Sequence, residues 1–261
     1  MVTSLLQGKK GLITGITNKR SIAYGIAKTL SEHGAALAVT YQNEMVKERL
    51  SSIAAELNVE LVLNCDVANE ETIGEVFKII EKKWGTLDFL VHAIAFSDKN
   101  ELVGKYVNTS LSNFLNAMHI SCYSFTALVQ RAEKIMLNGG SLLTLSYYGA
   151  EKVMPNYNVM GLCKAALEAS VRYIACDLGP QDIRVNAISA GPIRTLASSG
   201  ISNFHFISEW NRNNSPLRRN TTIEDVGKAA LYLLSDLSSG TTGEVLHVDS
   251  GYNVIGMKAI D

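Results

Sequence analysis

The chain has 261 residues, of which 47% are hydrophobic and 19% charged, a globular composition with ample length for a full core. Its formal net charge of −1 gives no basis for a nucleic-acid or membrane-surface partner, and no apolar run reaches the length of a membrane-spanning helix. Cys65, Cys122, Cys163 and Cys176 form neither a Cys-x-x-Cys pair nor a disulfide framework, and "MVTSLLQGKK" is too poor in apolar residues for a signal peptide, so a cytoplasmic protein without a metal site is expected.

In chain order, "KGLITGI" reads as a first strand, and a helix follows near residues 21–33. The pattern repeats with "ALAVTY" and a helix near 43–57, "LVLNCDV" and one near 70–84, and "LDFLVHAIA" and a long one near 111–137. "SLLTLSY" precedes a helix near 156–178, "IRVNAISAG" precedes a polar loop over about 192–220, and a helix near 222–235 leads into "GEVLHVD". A Thr221-x-x-Glu224 capping box is expected to open that last helix. Strand and helix alternating without pause predict a parallel sheet covered on both faces, because parallel neighbours need a right-handed crossover. The fold class is therefore α/β: one doubly wound Rossmann-type domain over residues 1–261, with seven parallel strands. Such sheets bind ligands beyond the carboxyl ends of their strands, at the switch point.

The first strand end, "LITGITNKRSIAYGIAK", does not match G-x-G-x-x-G, yet it can do the same physical work. Gly15 allows a tight turn, and Ser21, with Ile22 where the helix should begin, can cap that helix and offer its first N–H groups to an anion. Asp66, with Val67 beside it at the third strand end, can accept from an adenine amino group, although an aspartate there is commonly just a helix cap. Ile94 and Ala95 leave room for a ribose or ring near the fourth. After the second strand come Tyr41, Gln42, Asn43 and Glu44. Neutral Gln42 can bond a ribose hydroxyl while Glu44 would repel a 2′-phosphate, which favours NADH over NADPH; Lys47 and Arg49 weigh the other way.

Tyr157 and Lys164 are seven positions apart, two turns along one face if the segment is helical. Val159, Leu162, Ala166, Ala169, Tyr173 and Cys176 form an apolar stripe expected to be buried, with the Tyr157, Gly161 and Lys164 side roughly opposite, and Met160, Cys163, Leu167 and Ile174 add a second apolar flank, so the helix is expected to be largely buried. A lysine on so apolar a helix needs a polar partner. Cofactor ribose hydroxyls fit that need, and the ammonium would then lower the pKa of a nearby phenol.

Several runs carry a resemblance: "GITNKRSIAYGIAK", "AVTYQNE", "CDVANEE", "LTLSYYGAEKVMPNYNVMGLCKAALEASVRY", "RVNAISAGPIRTLASSGISNF", "TIEDVG" and "SGTTGEVLHVDSGY". Across essentially its whole length the chain resembles the short-chain dehydrogenase/reductases, and more closely the bacterial NADH-dependent enoyl-[acyl-carrier-protein] reductases. Ordinary members carry Tyr-x3-Lys; the enoyl reductases carry Tyr-x6-Lys with a second tyrosine ten positions upstream, here Tyr157, Lys164 and Tyr147. Tyr24-x3-Lys28 and Tyr148-x3-Lys152 match the commoner spacing but sit in the first helix and in a loop, and are set aside. The resemblance implies hydride transfer from NADH to the β-carbon of a trans-2-enoyl thioester on acyl carrier protein. Tyr157 would stabilise the enolate oxygen, Lys164 would bond the nicotinamide ribose, and Tyr147 would line the pocket and relay a proton. It also implies contacts from Ile193 and Thr195 to the nicotinamide amide and pyrophosphate, and a homotetramer.

The loop over about 192–220 holds the small residues Ala197, Ser198 and Ser199, then Phe204 and Phe206, and is expected to form a helical lid over the acyl chain. Met160, Phe204 and Ile207 would make its apolar wall and Ala95 would border the substrate. Arg194, Arg218 and Arg219 offer charge to an acidic carrier protein. His119 stands where many relatives have an aspartate, and Ala95 where some have glycine. Two rival readings remain: a carbonyl reductase in which Thr144 or Ser146 assists Tyr157, and a nucleotide-binding regulator with a silent site.

Overall fold

A computed structural model of the chain describes residues 4–196, 198 and 203–257; Ala197 and Ser199 lie outside them. The seven expected strands form, as β1 (Lys10–Ile13), β2 (Ala36–Tyr41), β3 (Leu61–Asn64), β4 (Phe89–His92), β5 (Gly140–Ser146), β6 (Ile183–Ala190) and β7 (Val245–Val248). They lie in one sheet in the order β3-β2-β1-β4-β5-β6-β7, every neighbouring pair parallel. The order reverses between β1 and β4, so the crevice at their carboxyl ends is where a ligand is expected.

Two cores cover the sheet, as a parallel sheet buried on both faces requires. On one face lie α3 (Glu70–Trp84), α5 (Ser124–Ala132) and α6 (Val159–Leu178), burying Ile73, Phe77, Phe125, Leu128, Leu167 and Val171. On the other lie α1 (Ile22–Glu32), α2 (Glu44–Glu56) and α8 (Ile223–Leu234), burying Ile26, Leu30, Leu50, Ile53, Val226 and Leu233. Each such fully buried aliphatic side chain contributes about 1.5–3 kcal/mol. Gly25 belongs to this packing and not to a phosphate site: a Cβ there would meet the Ile223 carbonyl oxygen at 2.5 Å, because α1 and α8 cross in backbone contact.

Three local expectations shift. The segment expected as one helix over 111–137 is α4 (Leu111–Met118), a π-helical turn (His119–Tyr123), α5 and a 3-10 turn (Glu133–Ile135). The capping box lies one residue later than expected: Thr222 accepts from the Asp225 amide at 3.2 Å, and the Asp225 carboxylate accepts from the Thr222 amide at 3.0 Å. Thr221 is instead buried within reach of Ser250. Within the expected lid, α7 (Phe204–Asn214) is helical.

The apolar stripe expected to be buried on α6 is buried only in part: Val159 is in the core and Ala166 packs against core residues, but most of the rest turns outward. Leu162, Tyr173 and Cys176 are exposed, while Met160, Cys163, Lys164, Leu167, Val171 and Ile174 face inward. A helix apolar nearly all round gives no unique buried face from periodicity. No helix among the described residues is long and apolar enough to cross a membrane.

Candidate active site

A cleft of about 760 Å3 runs along the strand ends from Gly15, Ser21 and Ile22, past Gln42, Asp66 and Val67, to Ile94, Ala95, Tyr157, Lys164 and Thr195. A second, apolar chamber of about 300 Å3 adjoins it, lined by Leu102, Met154, Met160, Ile193, Phe204 and Ile207 among others. Ala95, Ser146, Tyr147, Tyr157 and Thr195 line both. Every expected site residue therefore borders one cavity or the other. Ile193, expected at the cofactor, borders the chamber and not the cleft.

At the cleft's first end, Gly15 takes φ +85°, and a Cβ there would lie 2.0 Å from the Ala93 carbonyl oxygen, so only glycine fits. Ser21 caps α1, its Oγ accepting from the Tyr24 amide at 3.3 Å and donating to the Asn18 carbonyl at 2.7 Å. The helix N-terminus opens towards the cleft without a carboxylate in its first turn, an arrangement that favours an anion. Farther along, Gln42 donates to Asp66 at 3.4 Å, bridging β2 and β3 at the expected adenosine end. Glu44 pairs with Lys47 at 3.1 Å, and the ammonium sits 5.3 Å from the centre of the Tyr41 ring.

Tyr157 precedes α6 and is not part of it, so helical geometry is not what joins it to Lys164. Asn156 and Asn158 on either side have positive φ, 57° and 37°, a conformation asparagine tolerates better than most residues. Asn158 Nδ2 donates to the Glu101, Leu102 and Gly104 carbonyls at 3.1, 3.1 and 3.3 Å, tying the turn to the segment after β4. Gly149 lies against the Tyr157 ring so closely that a Cβ would meet it at 2.4 Å. With Leu102, Ala117, Val159, Met160 and Cys163, Tyr157 forms a small third core.

Burial pushes the Tyr157 hydroxyl up, with Tyr147, Cys163 and Glu168 adding to it; burial likewise raises Tyr147. The expectation that Lys164 would lower this phenol is not met: the groups that shift it all raise it, and Lys164 is not among them. The consequence still suits a donor: Tyr157 stays protonated. Lys164, 5% exposed, donates from Nζ to the Leu145 carbonyl at 2.7 Å, and burial lowers its pKa to about 8. This described bond leaves two ammonium donors for a ligand, in a cleft long enough for a dinucleotide. The residues fit NADH.

Thr144 and Ser146 are committed elsewhere. Thr144 Oγ1 lies 2.8 Å from His92 Nδ1, while His92 Nε2 lies 2.9 Å from Ser124 Oγ. This imidazole is fully buried, and burial, then Lys164, lowers its pKa to about 3, so it bridges β4, β5 and α5 as a neutral ring. Ser146 Oγ donates to the Glu168 carboxylate. The alternative pairs also have other partners: the Tyr24 hydroxyl bonds Glu56 at 2.7 Å, and the Tyr148 hydroxyl bonds the Asn253 carbonyl at 3.4 Å.

Sequence reasoning missed the contribution of the π-helical turn. It brings Ile120 into the cleft wall and places Ser121 Oγ 2.9 Å from the Phe96 amide and 3.8 Å from Met160 Sδ. Such turns often occur at functional sites, but an ordinary apolar helical pattern does not signal one. Phe96, Leu102, Met154 and Pro155 were missed as chamber residues because loop residues carry no periodicity. His119, singled out in the sequence, packs against Tyr123 at 5.9 Å and borders neither cavity. Arg219 is held by Asp225 at 2.5 and 3.1 Å, and Arg218 donates to the Asn213 carbonyl at 2.6 Å.

Comparison with known proteins agrees with this geometry. Residues 15–253 match the family model described as enoyl-(acyl carrier protein) reductase. Enoyl-[acyl-carrier-protein] reductase [NADH] 1 of Rhizobium meliloti is 61% identical over 259 residues, covering 99% of this chain and 95% of that protein. The Rickettsia felis enoyl-[acyl-carrier-protein] reductase [NADH] is 57% identical over 260 residues, covering 100% of both. The crystal structure of the Anaplasma phagocytophilum reductase in complex with NAD superposes with a TM-score of 0.95 at 61% identity, covering 100% of this chain and 97% of that one.

Proposed function

The chain belongs to the NADH-dependent enoyl-[acyl-carrier-protein] reductases, and from that premise we propose how its own residues carry the reaction. NADH supplies the hydride, which goes to the β-carbon of a trans-2-enoyl thioester in fatty-acid synthesis. Negative charge then develops on the thioester carbonyl oxygen. The Tyr157 hydroxyl, protonated and buried, donates to that oxygen as the charge grows, a preorganised contact stronger in the transition state than in the ground state. Lys164 holds ribose hydroxyls and keeps the local field positive. Tyr147 orders the Tyr157 ring from its edge and walls the thioester off from water. Met160, Phe204 and Ile207 receive the acyl chain.

The observation that carries this reading is the position of Tyr157 in the wall common to the dinucleotide-sized cleft and the apolar chamber. A donor there reaches a group lying between a cofactor on one side and an acyl chain on the other. The commitments of Thr144 to His92 and of Ser146 to Glu168 argue against carbonyl reduction assisted by either hydroxyl.

Further proposals concern setting and assembly. The acyl carrier protein delivers the thioester to a single domain with a lid over about 192–220, and exposed Arg194 is the better-placed basic contact now that Arg219 is paired. Exposed Leu115, Tyr123, Leu162 and Tyr173 on α4, the π-helical turn and α6 supply apolar surface for a homotetramer. Four free cysteines, three of them buried, suit a reducing cytoplasm.

The test follows loss of reduced-cofactor absorbance with crotonyl thioester, using NADH and NADPH in parallel and acetoacetyl thioester as the control. Oxidation of NADH that depends on the crotonyl substrate is expected. Activity confined to the acetoacetyl substrate would move the protein to the carbonyl reductases, and NADH binding without turnover of either would restore the regulator.

A further inference from the structure

Lys164 and Glu168 are one helical turn apart on the inner face of α6, and both side chains are buried. They grip consecutive residues of β5: Lys164 donates to the Leu145 carbonyl at 2.7 Å, and Glu168 accepts from Ser146 Oγ. The next residue is Tyr147, whose ring lies 5.0 Å from that of Tyr157. Ser146 itself borders both cavities. A carboxylate at 8% exposure is costly unless it accepts hydrogen bonds, and a site near a hydride acceptor is a poor place for a spare anion. Retaining it calls for a reason beyond packing.

We propose that Glu168 is a positioning residue for enoyl reduction: through Ser146 it fixes the end of β5, and with it Tyr147, while the Leu145 carbonyl that seats Lys164 is held by strand pairing with β6. The inference rests on the proposed site at Tyr157. A one-turn clamp of this kind resists rotation of the Ser146–Tyr147 segment, which a single hydrogen bond would not. Displacement of Tyr147 would unseat the edge contact to Tyr157 and spoil the donor's aim, while leaving the distant Gly15–Ser21 end of the cleft unchanged. The loss should therefore fall on turnover and spare cofactor affinity.

A pH signature separates this role from simple packing. Glu168 is held above the ordinary carboxylate range by burial first and Glu151 second, against the Ser146 hydrogen bond, His247 and Arg172, which lower it. Glu151 faces it from the turn after β5, His247 from β7, and Lys164 and Arg172 from α6 itself. The carboxylate accepts from Ser146 in a charge-assisted hydrogen bond, whereas the protonated acid accepts more weakly and can also donate, so the clamp is tightest above this raised pKa and loosens as pH falls through it.

The experiment uses the full chain with NADH and crotonyl thioester. Wild-type turnover comes first: an inactive wild type sinks the enoyl-reductase reading, whereas an active one leaves only the role of Glu168 at issue. Glu168→Ala is expected to lower kcat by on the order of tenfold or more, with the KM for NADH changed less than about twofold. Glu168→Gln is expected to remove the acid limb that Glu168 gives the wild-type kcat profile. Should Glu168→Ala fail to fold, Ser146→Ala breaks the same contact from the strand side and must show the same split. The double variant should lose no more than the worse single one. Wild-type kcat in Ser146→Ala, an unchanged acid limb in Glu168→Gln, or additive losses would each overturn the proposal.

Discussion

Tyr147 and Tyr157 meet edge to face, ring centroids 5.0 Å apart and planes inclined at 73°, in the wall shared by cleft and chamber. The contact presents the electropositive edge of one ring to the face of the other, an arrangement that outlasts loss of a hydroxyl. This separates the phenol's chemical role from its packing. Tyr157→Phe is expected to lower kcat by roughly 10²–10³, the usual effect of removing one donor from a developing oxyanion, while the melting temperature and NADH dissociation constant stay near wild type. Steady-state turnover with crotonyl thioester, paired with fluorescence titration of NADH, decides it; full turnover in the variant would remove Tyr157 from the chemistry.

Lys164 makes cofactor binding depend on pH in a definite direction. In the free site burial holds its pKa down to about 8. Ribose hydroxyls that accept from the ammonium favour the charged form and lift that pKa on binding. Binding should thus take up protons just above pH 8, and NADH affinity should fall as pH rises through that value. Calorimetry in two buffers of unlike ionisation heat measures the uptake directly. A buffer-independent heat there, or unweakened NADH binding by Lys164→Ala, would contradict the assignment.

The pairing of Glu44 and Lys47 is expected to set the preference for NADH: the carboxylate would repel a 2′-phosphate, and it holds an ammonium that lies over Tyr41, a residue of the cleft wall. Glu44→Gln frees that cation. The expected result is a severalfold rise in kcat/KM for NADPH with little change for NADH, a gain that shrinks as salt screens the exposed lysine. An unaltered cofactor ratio at low salt would show that Glu44 does not set the choice.

The strands were readable because each is a short apolar run ended by turn residues; their register was not, because strands buried on both faces carry no alternation that would fix it. The cleft residues were readable for a related reason: Gly15, Gln42, Asp66 and Ile94 all lie just past strand ends, where the fold itself puts the crevice. What periodicity could not supply was the orientation of α6, whose outer side is as apolar as its inner one. Nor could it show that Tyr157 stands outside the helix, since that depends on two left-handed asparagines and a glycine contact made across the fold. The clamp on Ser146 and the burial of His92 are likewise tertiary facts, with no local pattern in "LTLSYY" or "FLVHAIA" to announce them.

Asn158 is the residue in which that hidden geometry is concentrated. It holds φ 37° and ψ −122° at the start of α6 and spends one side-chain amide on three carbonyls of residues 101–104. Alanine there would keep the unfavourable backbone angle, lose those hydrogen bonds and leave the carbonyls partly unsatisfied, a cost of about 1–3 kcal/mol. Aspartate would be worse than alanine in one respect, since it replaces the donor with acceptors that face the same three oxygens. Because the turn also sets the height of Tyr157, Asn158→Ala is expected to lose kcat as well as stability. Denaturant unfolding and turnover measured on the same preparation test both halves: lost stability with full kcat would separate the turn from the aim of the phenol, and neither effect would remove Asn158 from the site's support altogether.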